Sequence, residues 1–305
     1  MAIVFLLTAA SALAHGLVGN RLFIEPLVTE DANPKNELDL PILEAISSPD
    51  GRNVNFNYSL EKLLRPRISV NFENSYNWFR PAVLGPSRIS GWGNIGLGVK
   101  YALHKSPSHE FIMSVKFGVE LPTGNTAVSA NDFTTLEPEF LYAKGFGDLR
   151  SRGAWNWLRP FAVQGDVALD FPAGGARPNP TRRFTSRADL VLEYSIPYLN
   201  QFVRHSNRDY ALADGFVRKG HSLSAIAGDL FSFTEFNFRA APLGSAGRRT
   251  YGFFRPGVVY VGHYFEIGGA VELPADNFTG THPGGIGIFD LFIDDVFPIM
   301  NRMLP

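Results

Sequence analysis

Glu110-Phe111-Ile112-Met113-Ser114-Val115-Lys116-Phe117-Gly118-Val119-Glu120-Leu121 decides the fold. Its odd positions are Phe111, Met113, Val115, Phe117, Val119 and Leu121, all apolar, while Glu110, Ser114, Lys116, Gly118 and Glu120 fill even ones. A period of two is the pleat of a β-strand, whose successive side chains point to opposite faces. Strands of soluble sandwiches usually stop at about five or six residues. One apolar face sustained over about ten residues suits a strand that crosses a bilayer and belongs to a closed barrel. Val115 and Phe117 are therefore assigned to lipid, and Ser114 and Lys116 to the lumen.

The same pattern extends in both directions. Upstream, Ile95, Leu97, Val99, Tyr101 and Leu103 alternate with Gly96, Gly98, Lys100 and Ala102. Asn53 to Leu60 and Ile68 to Glu73 form a hairpin about Arg65-Pro66-Arg67. Downstream, Phe161 to Phe171, Leu190 to Ile196 and Phe265 to Leu273 repeat it. Leu136 to Phe146, Ser222 to Phe238, Tyr251 to Val261 and Gly285 to Phe297 are weaker candidates. These make eleven strands, and single-chain bacterial barrels close with an even number, so the expectation is an all-β, antiparallel transmembrane barrel of about 12 strands, within about 10–14. The missing strand is sought at Arg21 to Ile24 or in a split of Tyr251 to Leu273. Trp78, Phe79, Trp92, Trp155, Trp157, Phe171, Tyr251 and Phe254 stand near strand ends, where interfacial aromatic girdles lie.

Composition agrees with a membrane strand protein. The 305 residues are 45% hydrophobic and 19% charged, with 26 Phe and no Cys, and the net charge is −1. Without a dense Lys/Arg surface there is no footprint for nucleic acid. Lack of Cys removes disulfides and thiolate chemistry together. Ala2 to Leu13 is an apolar run of signal-peptide length ending in Ala12-Leu13-Ala14, so residues 1–14 are expected to be cleaved, leaving His15 first. No n-region cation precedes that run. Residues 15–52, interrupted by Pro26, Pro34, Pro41 and Pro49, are expected as an extended segment plugging the lumen or its periplasmic mouth, and residues 53–305 as the barrel. Glu30, Asp31, Lys35, Glu37 and Asp39 of that segment would pair with inward charges. Asn200 to Gly220, too long for a periplasmic turn, reads as a short helix or ordered loop.

Charges on the inward parity define the candidate site. Lys100, Glu110, Lys116, Glu120 and Asp166 are assigned to the lumen lining, as are Glu193, Glu266, Glu272, Asp290 and Asp294. Buried charges need pairing or hydration. Asp290, Asp294 and Asp295 sit in so apolar a strand that they must face water or a cation, a lumen salt bridge being the simpler reading. Gly91-Trp92-Gly93-Asn94-Ile95-Gly96 fits G-x-G-x-x-G, but a strand rather than a helix follows, which removes the phosphate site. His104 and His109 lack the carboxylates of a metal site. No catalytic residue, cofactor or metal is expected, and no Ser-His-acid or paired-carboxylate constellation supports an enzyme.

Several stretches resemble an uncharacterised family of bacterial outer-membrane barrels that is distantly similar to the channel group of the phenol-degradation MetA pathway. They are Gly19 to Phe23, Gly91 to Tyr101, His109 to Val115, Lys144 to Leu149, Trp157 to Phe161, Leu192 to Leu199 and Phe292 to Pro298, spread over most of the mature chain. Such barrels usually end on an aromatic, whereas this chain continues past Phe297 to Met303-Leu304-Pro305. The resemblance implies a passive channel or transport-associated barrel in the Gram-negative outer membrane for small solutes, hydrophobic or aromatic ones among them. Its partners would be outer-membrane lipid, the barrel assembly machinery and that solute. Two alternatives stay open: a non-conducting structural or assembly barrel of an envelope complex, and a secreted soluble β-protein that binds a lipid or sugar.

Overall fold

Each of the eleven stretches read as strands holds a strand within its described residues in the computed structural model, which describes residues 16–48, 51–82, 88–128, 130–173, 184–204, 230–240, 250–262, 265–277 and 279–292; residues 222–229 and 293–297 of two stretches lie outside them. A small hairpin comes first, β1 (Leu17–Val18) and β2 (Arg21–Leu22). The wall then runs through β3 (Glu37–Ser48), β4 (Gly51–Arg65), β5 (Ile68–Pro81), β6 (Ile89–Trp92), β7 (Ile95–Ser106) and β8 (Phe111–Leu121). It continues through β9 (Thr134–Gly145), β10 (Phe161–Ala173), β11 (Thr185–Ser195), β12 (Leu230–Ala240), β13 (Thr250–Val261), β14 (Phe265–Pro274) and β15 (His282–Phe292). From β3 on, consecutive strands pair antiparallel, except that β6 and β7 both pair with β5, and β15 pairs with β3 to close the barrel.

The count is twelve wall strands and one short extra. β7 pairs with the first half of β5, and β6 with the second half, Tyr76 to Phe79. The two therefore share one place in the wall, interrupted at Gly93-Asn94. A side chain at Gly93 would collide with Ser75 Oγ, so the glycine pattern of residues 91–96 serves close backbone packing.

The twelfth strand is β3, not Arg21 to Ile24. Its residues lie inside the segment expected as plug, so the barrel begins at Glu37 rather than at residue 53. A β-bulge explains why the pattern hides it. Between Asp39 and Ile42, β3 advances three residues while β4 advances two, and between Asp39 and Leu43 it advances four while β15 advances three. The extra residue at Leu40-Pro41 reverses the inward parity midway, and an interrupted ladder is where a proline without an N–H fits.

Alternation places apolar side chains outward around the circuit. Val99, Phe117, Val167, Val258, Ile267 and Val271 are about half exposed, while Lys100, Ser114, Asp166, Val259, Glu266 and Glu272 on the opposite parity are buried. No described helix is long and apolar enough to cross a membrane. Tight turns at Arg65–Ile68 and Pro107–Glu110 mark one end, here called proximal, where Gly16 and Phe292 also lie. Just there Ile196–Tyr198 and Leu199–Val203 are helical; of the connection Asn200 to Gly220 only residues 200–204 are described, and they continue this helical turn. The aromatics form belts at both ends. Trp78 and Trp92 pack edge-on against Tyr76 near the distal rim, with centroids 4.8 and 5.1 Å away, and the exposed Trp155 and Trp157 sit on the proximal turn Gly153–Leu158. Phe79, which shares the inward parity of Ser75 and Asn77, lies outside the distal belt. The proposed cleavage site, Asp294 and everything beyond Phe292 fall outside the described residues.

Candidate functional site: the occupied lumen

Residues 23–36 leave the β1–β2 hairpin, rise into the barrel and return to Glu37 at the proximal end. Gly19, at φ +66°, makes the hairpin turn where a side chain would meet the Pro107 carbonyl. Arg21 then pins the entrance. It is fully buried, donates to the Arg159, Pro160 and Phe161 carbonyls, lies 3.3 Å from Glu110 Oε2 and stacks 4.1 Å from the Tyr198 ring. Glu110 also accepts from Tyr198 Oη at 3.0 Å and from the Gly147 N–H at 2.9 Å, so it serves this anchor and stands apart from the rest of the predicted lining.

An irregular segment inside a barrel cannot satisfy its own backbone, and each unpaired buried N–H is costly. The wall supplies carboxylates instead. Glu235 Oε1 accepts from the N–H groups of Leu27, Val28 and Thr29 at 3.1–3.3 Å. Asp166 accepts from the Glu30 N–H at 2.9 Å, Glu266 from Glu25 at 3.0 Å, Glu61 from Lys35 at 3.2 Å and Glu193 from Ile24 at 3.4 Å. Asp166, Glu193 and Glu266, assigned by the sequence to the lumen lining, thus act as acceptors for plug backbone. Successive N–H groups converging on one oxygen form an anion-binding nest, here turned toward a wall residue.

Ion pairs complete the contact. Glu30 lies 2.8 Å from both Lys100 and Lys116; Lys100 also meets Glu61 at 2.9 Å and Lys116 meets Glu73 at 2.8 Å. Arg187 lies 2.6 Å from Glu139 and 3.6 and 3.7 Å from Asp166 and Asp189. Glu272 pairs with Arg255 at 2.6 Å, and Arg255 reaches Glu44 at 3.3 Å. Burial would raise the Glu30 carboxyl, but Lys100 and Lys116 outweigh it and hold that carboxyl well below the usual range. Asp31 behaves oppositely: burial pushes it up to about 8 despite Lys100 and the Asn33 N–H. His109 bonds Asp148 at 3.2 Å instead of approaching His104, whose ring faces Phe111.

One side of the lumen is apolar. Leu22, Ile24 and Leu27 pack with Val191, Phe231, Phe233, Val259, Val261, Ile286, Ile288 and Phe292 in a buried cluster. A second cluster joins Val18, Phe23 and Ala32 to Ala102, Ile112, Leu141, Ala143 and Ala162. Sequence reading missed these positions because alternation predicts polar inward residues, and only the plug makes apolar ones tolerable. It also missed Glu61, though that residue shares the parity of Asn53, Asn55, Asn57 and Ser59. Distal to the plug lies a cavity of about 490 Å³. Its walls include Glu44, Glu73, Glu120, Glu137, Arg187 and Arg239, and its floor is Leu27 to Glu30. Nine carboxylate residues and four Lys or Arg line it. Glu120 sits there, 2.7 Å from Asn94 Nδ2.

The fold and its filled lumen define a plugged, closed twelve-stranded antiparallel barrel. Among solved structures, the COG4313 outer membrane channel from Pseudomonas putida F1 superposes with a TM-score of 0.50 at 10% identity, covering 84% of this chain and 92% of that one. The NanC porin superposes at 0.49 and 9% identity, covering 84% of this chain and 98% of that one. No family model matches the sequence, and neither does any curated protein. The likeness is therefore one of fold, in line with the distant resemblance to outer-membrane barrels read from the sequence.

Proposed function

We propose that this chain is an outer-membrane channel closed at rest by residues 23–36, with a preference for small, hydrophilic, positively charged solutes. The observation that carries this reading is the acid-rich distal cavity ending on a plug that ion pairs and amide–carboxylate bonds hold in place. Polar contacts of this kind can be exchanged for water, so the plug is releasable without exposing a dry core on that side. An excess of carboxylates concentrates cations in a narrow pore. Such a lining favours polar solutes over the hydrophobic or aromatic ones that the family resemblance implied. The outward Val, Phe and Ile face supports outer-membrane lipid as its solvent, a reading that takes the barrel assembly machinery as its route, and it argues against a soluble lipid- or sugar-binding protein.

The apolar cluster around Ile24 and Phe231 supports a second reading, a permanently plugged structural barrel. Planar-bilayer recordings separate the two. Under a KCl gradient the channel reading expects discrete openings whose reversal potential favours K⁺. Silent membranes carrying verified folded barrel, under all voltages, would leave the structural reading.

A further inference from the structure

We propose that the seam closing the barrel holds a divalent cation, best suited to Ca²⁺, between Glu37, Asp39 and Asp290. The register itself creates the site. Asp39 on β3 stands directly opposite Asp290 on β15, and Asp290 directly opposite Glu266 on β14. Three inward carboxylates thus occupy one row across the first, last and penultimate wall strands. Like charges opposed across a ladder repel, and the low-dielectric surroundings strengthen that repulsion.

Available cations do not answer this charge. Lys35 contacts Glu37, but it also contacts Glu25 and lies 3.4 Å from Asp31. Glu266 is occupied by the Glu25 N–H. Asp290 is fully buried with no N–H donor on either carboxylate oxygen and the Glu37 carboxylate against it; Asp39 Oδ1 likewise has no donor. Ligand oxygens of Glu37, Asp39 and Asp290 lie within 4.8 Å of one another. Oxygens about 2.4 Å from a central Ca²⁺ are separated by at most about 4.8 Å, so these three fall inside the limit that one shared ion sets. The three carboxylates share one lysine that Glu25 and Asp31 also claim, so a net negative charge remains for a divalent ion to meet. Ca²⁺ fits better than Mg²⁺, because Ca²⁺ accepts carboxylates in flexible geometry, whereas Mg²⁺ demands near-ideal octahedral geometry and these oxygens are fixed by two strands only, β3 and β15.

The position gives the ion a task. The bulge at Leu40-Pro41 interrupts the hydrogen-bond ladder on both sides of β3, just where the chain's first and last wall strands must meet. A cation bridging β3 to β15 would fasten the joint that the ladder leaves weak. The test uses the full-length folded barrel in detergent, stripped with EDTA and titrated with CaCl₂ or MgCl₂ at pH 7, with metal content, binding heat and thermal loss of the compact electrophoretic form as readouts. The expected result is one Ca²⁺ bound per chain with a rise in melting temperature, a weaker response to Mg²⁺, and loss of both binding and rise in Asp290→Asn. Asp39→Asn provides a second variant if Asp290→Asn fails to fold. A wild-type barrel that binds no Ca²⁺ and melts identically in EDTA and CaCl₂ would overturn the proposal and leave shared protons as the answer to the row of acids. Calcium binding that persists undiminished in folded Asp290→Asn or Asp39→Asn would place the ion elsewhere and overturn it equally.

Discussion

The two sides of the lumen hold the same plug by different physics. Toward β12–β15, Ile24 and Leu27 sit in an apolar cluster with Phe231, Phe233, Val259 and Ile288. Toward β4–β11, Glu30 is gripped by Lys100 and Lys116 while Asp166 takes its N–H, and only the proximal end there is apolar, where Phe23 and Ala32 meet Ala102, Ile112 and Leu141. Burying apolar area yields stabilisation that salt and pH scarcely alter, whereas ion pairs beside a water-accessible cavity exchange partners with solvent at small net cost. The contrast makes the apolar side the hinge or anchor and the charged side the part that lets go. It also explains an odd composition for a pore: the acids outnumber the bases because many of them serve backbone amides.

Truncating the anchor should have the largest effect. Phe231→Ala removes a fully buried ring from the cluster and should cost about 3–5 kcal/mol, spent on plug seating and local wall packing. Limited proteolysis should then trim the chain to near Glu37 while the remaining barrel keeps its compact, heat-modifiable migration. Resistance equal to wild type would show that the apolar side is not the anchor. Neighbouring positions on β8 sharpen the point, because they report on different surfaces. Val115 faces outward, and Val115→Arg should cost about 2–4 kcal/mol of membrane insertion. Ser114 is fully buried and its hydroxyl donates to the Ala32 carbonyl at 2.5 Å, so Ser114→Arg should unseat the plug while leaving insertion intact. If Ser114→Arg blocked insertion and Val115→Arg did not, the register would be wrong by one residue.

On the charged side a smaller effect is expected. Lys116→Met leaves Glu30 with Lys100 alone, and Glu73, which is 43% exposed, can turn to water. A loss of about 1–3 kcal/mol in plug seating follows, read as more frequent channel openings and weaker salt dependence of those openings. The smallest effect concerns pH. The carboxyl of Asp31 stands at about 8 in the seated plug against an ordinary 3.8. Because the seated value is the higher one, the seated plug holds that proton more tightly than the released plug. Its contribution to seating is complete below the ordinary value and is lost as pH rises through about 8. Lys35, Lys100 and Lys105 face the group, as do Glu37 and Glu61, and they broaden the transition without changing its sign. Protease trimming should quicken between pH 5 and pH 9, and Asp31→Asn should flatten the profile; a wild-type profile that is flat or reversed would remove Asp31 from the account.

Much of the wall was legible in the sequence because lipid imposes it. Strands such as β7 and β8 keep an unbroken apolar face, and their period of two names both surfaces at once. β3 was hidden by its bulge, which exchanges the inward parity between Asp39 and Ile42. β12 read weakly for a different reason: Phe231 and Phe233 point inward while Ser232 and Thr234 point outward, an inversion that only a plug inside the barrel can reward. The inward charges were visible by parity, but their partners were not. Which acid meets a lysine, which meets a backbone N–H and which meet one another depends on the register across strands and on the path of residues 23–36.

The central claim is that residues 23–36 occupy the lumen and control passage through it. Ser114 and Ala32 are adjacent across the plug–wall boundary and the chain has no cysteine, so Ala32→Cys combined with Ser114→Cys offers a clean lock. Single-channel conductance of the folded double variant should be abolished on oxidation and restored by dithiothreitol, with the cross-link verified by mass. Equal conductance in a fully cross-linked and a reduced barrel would contradict the account.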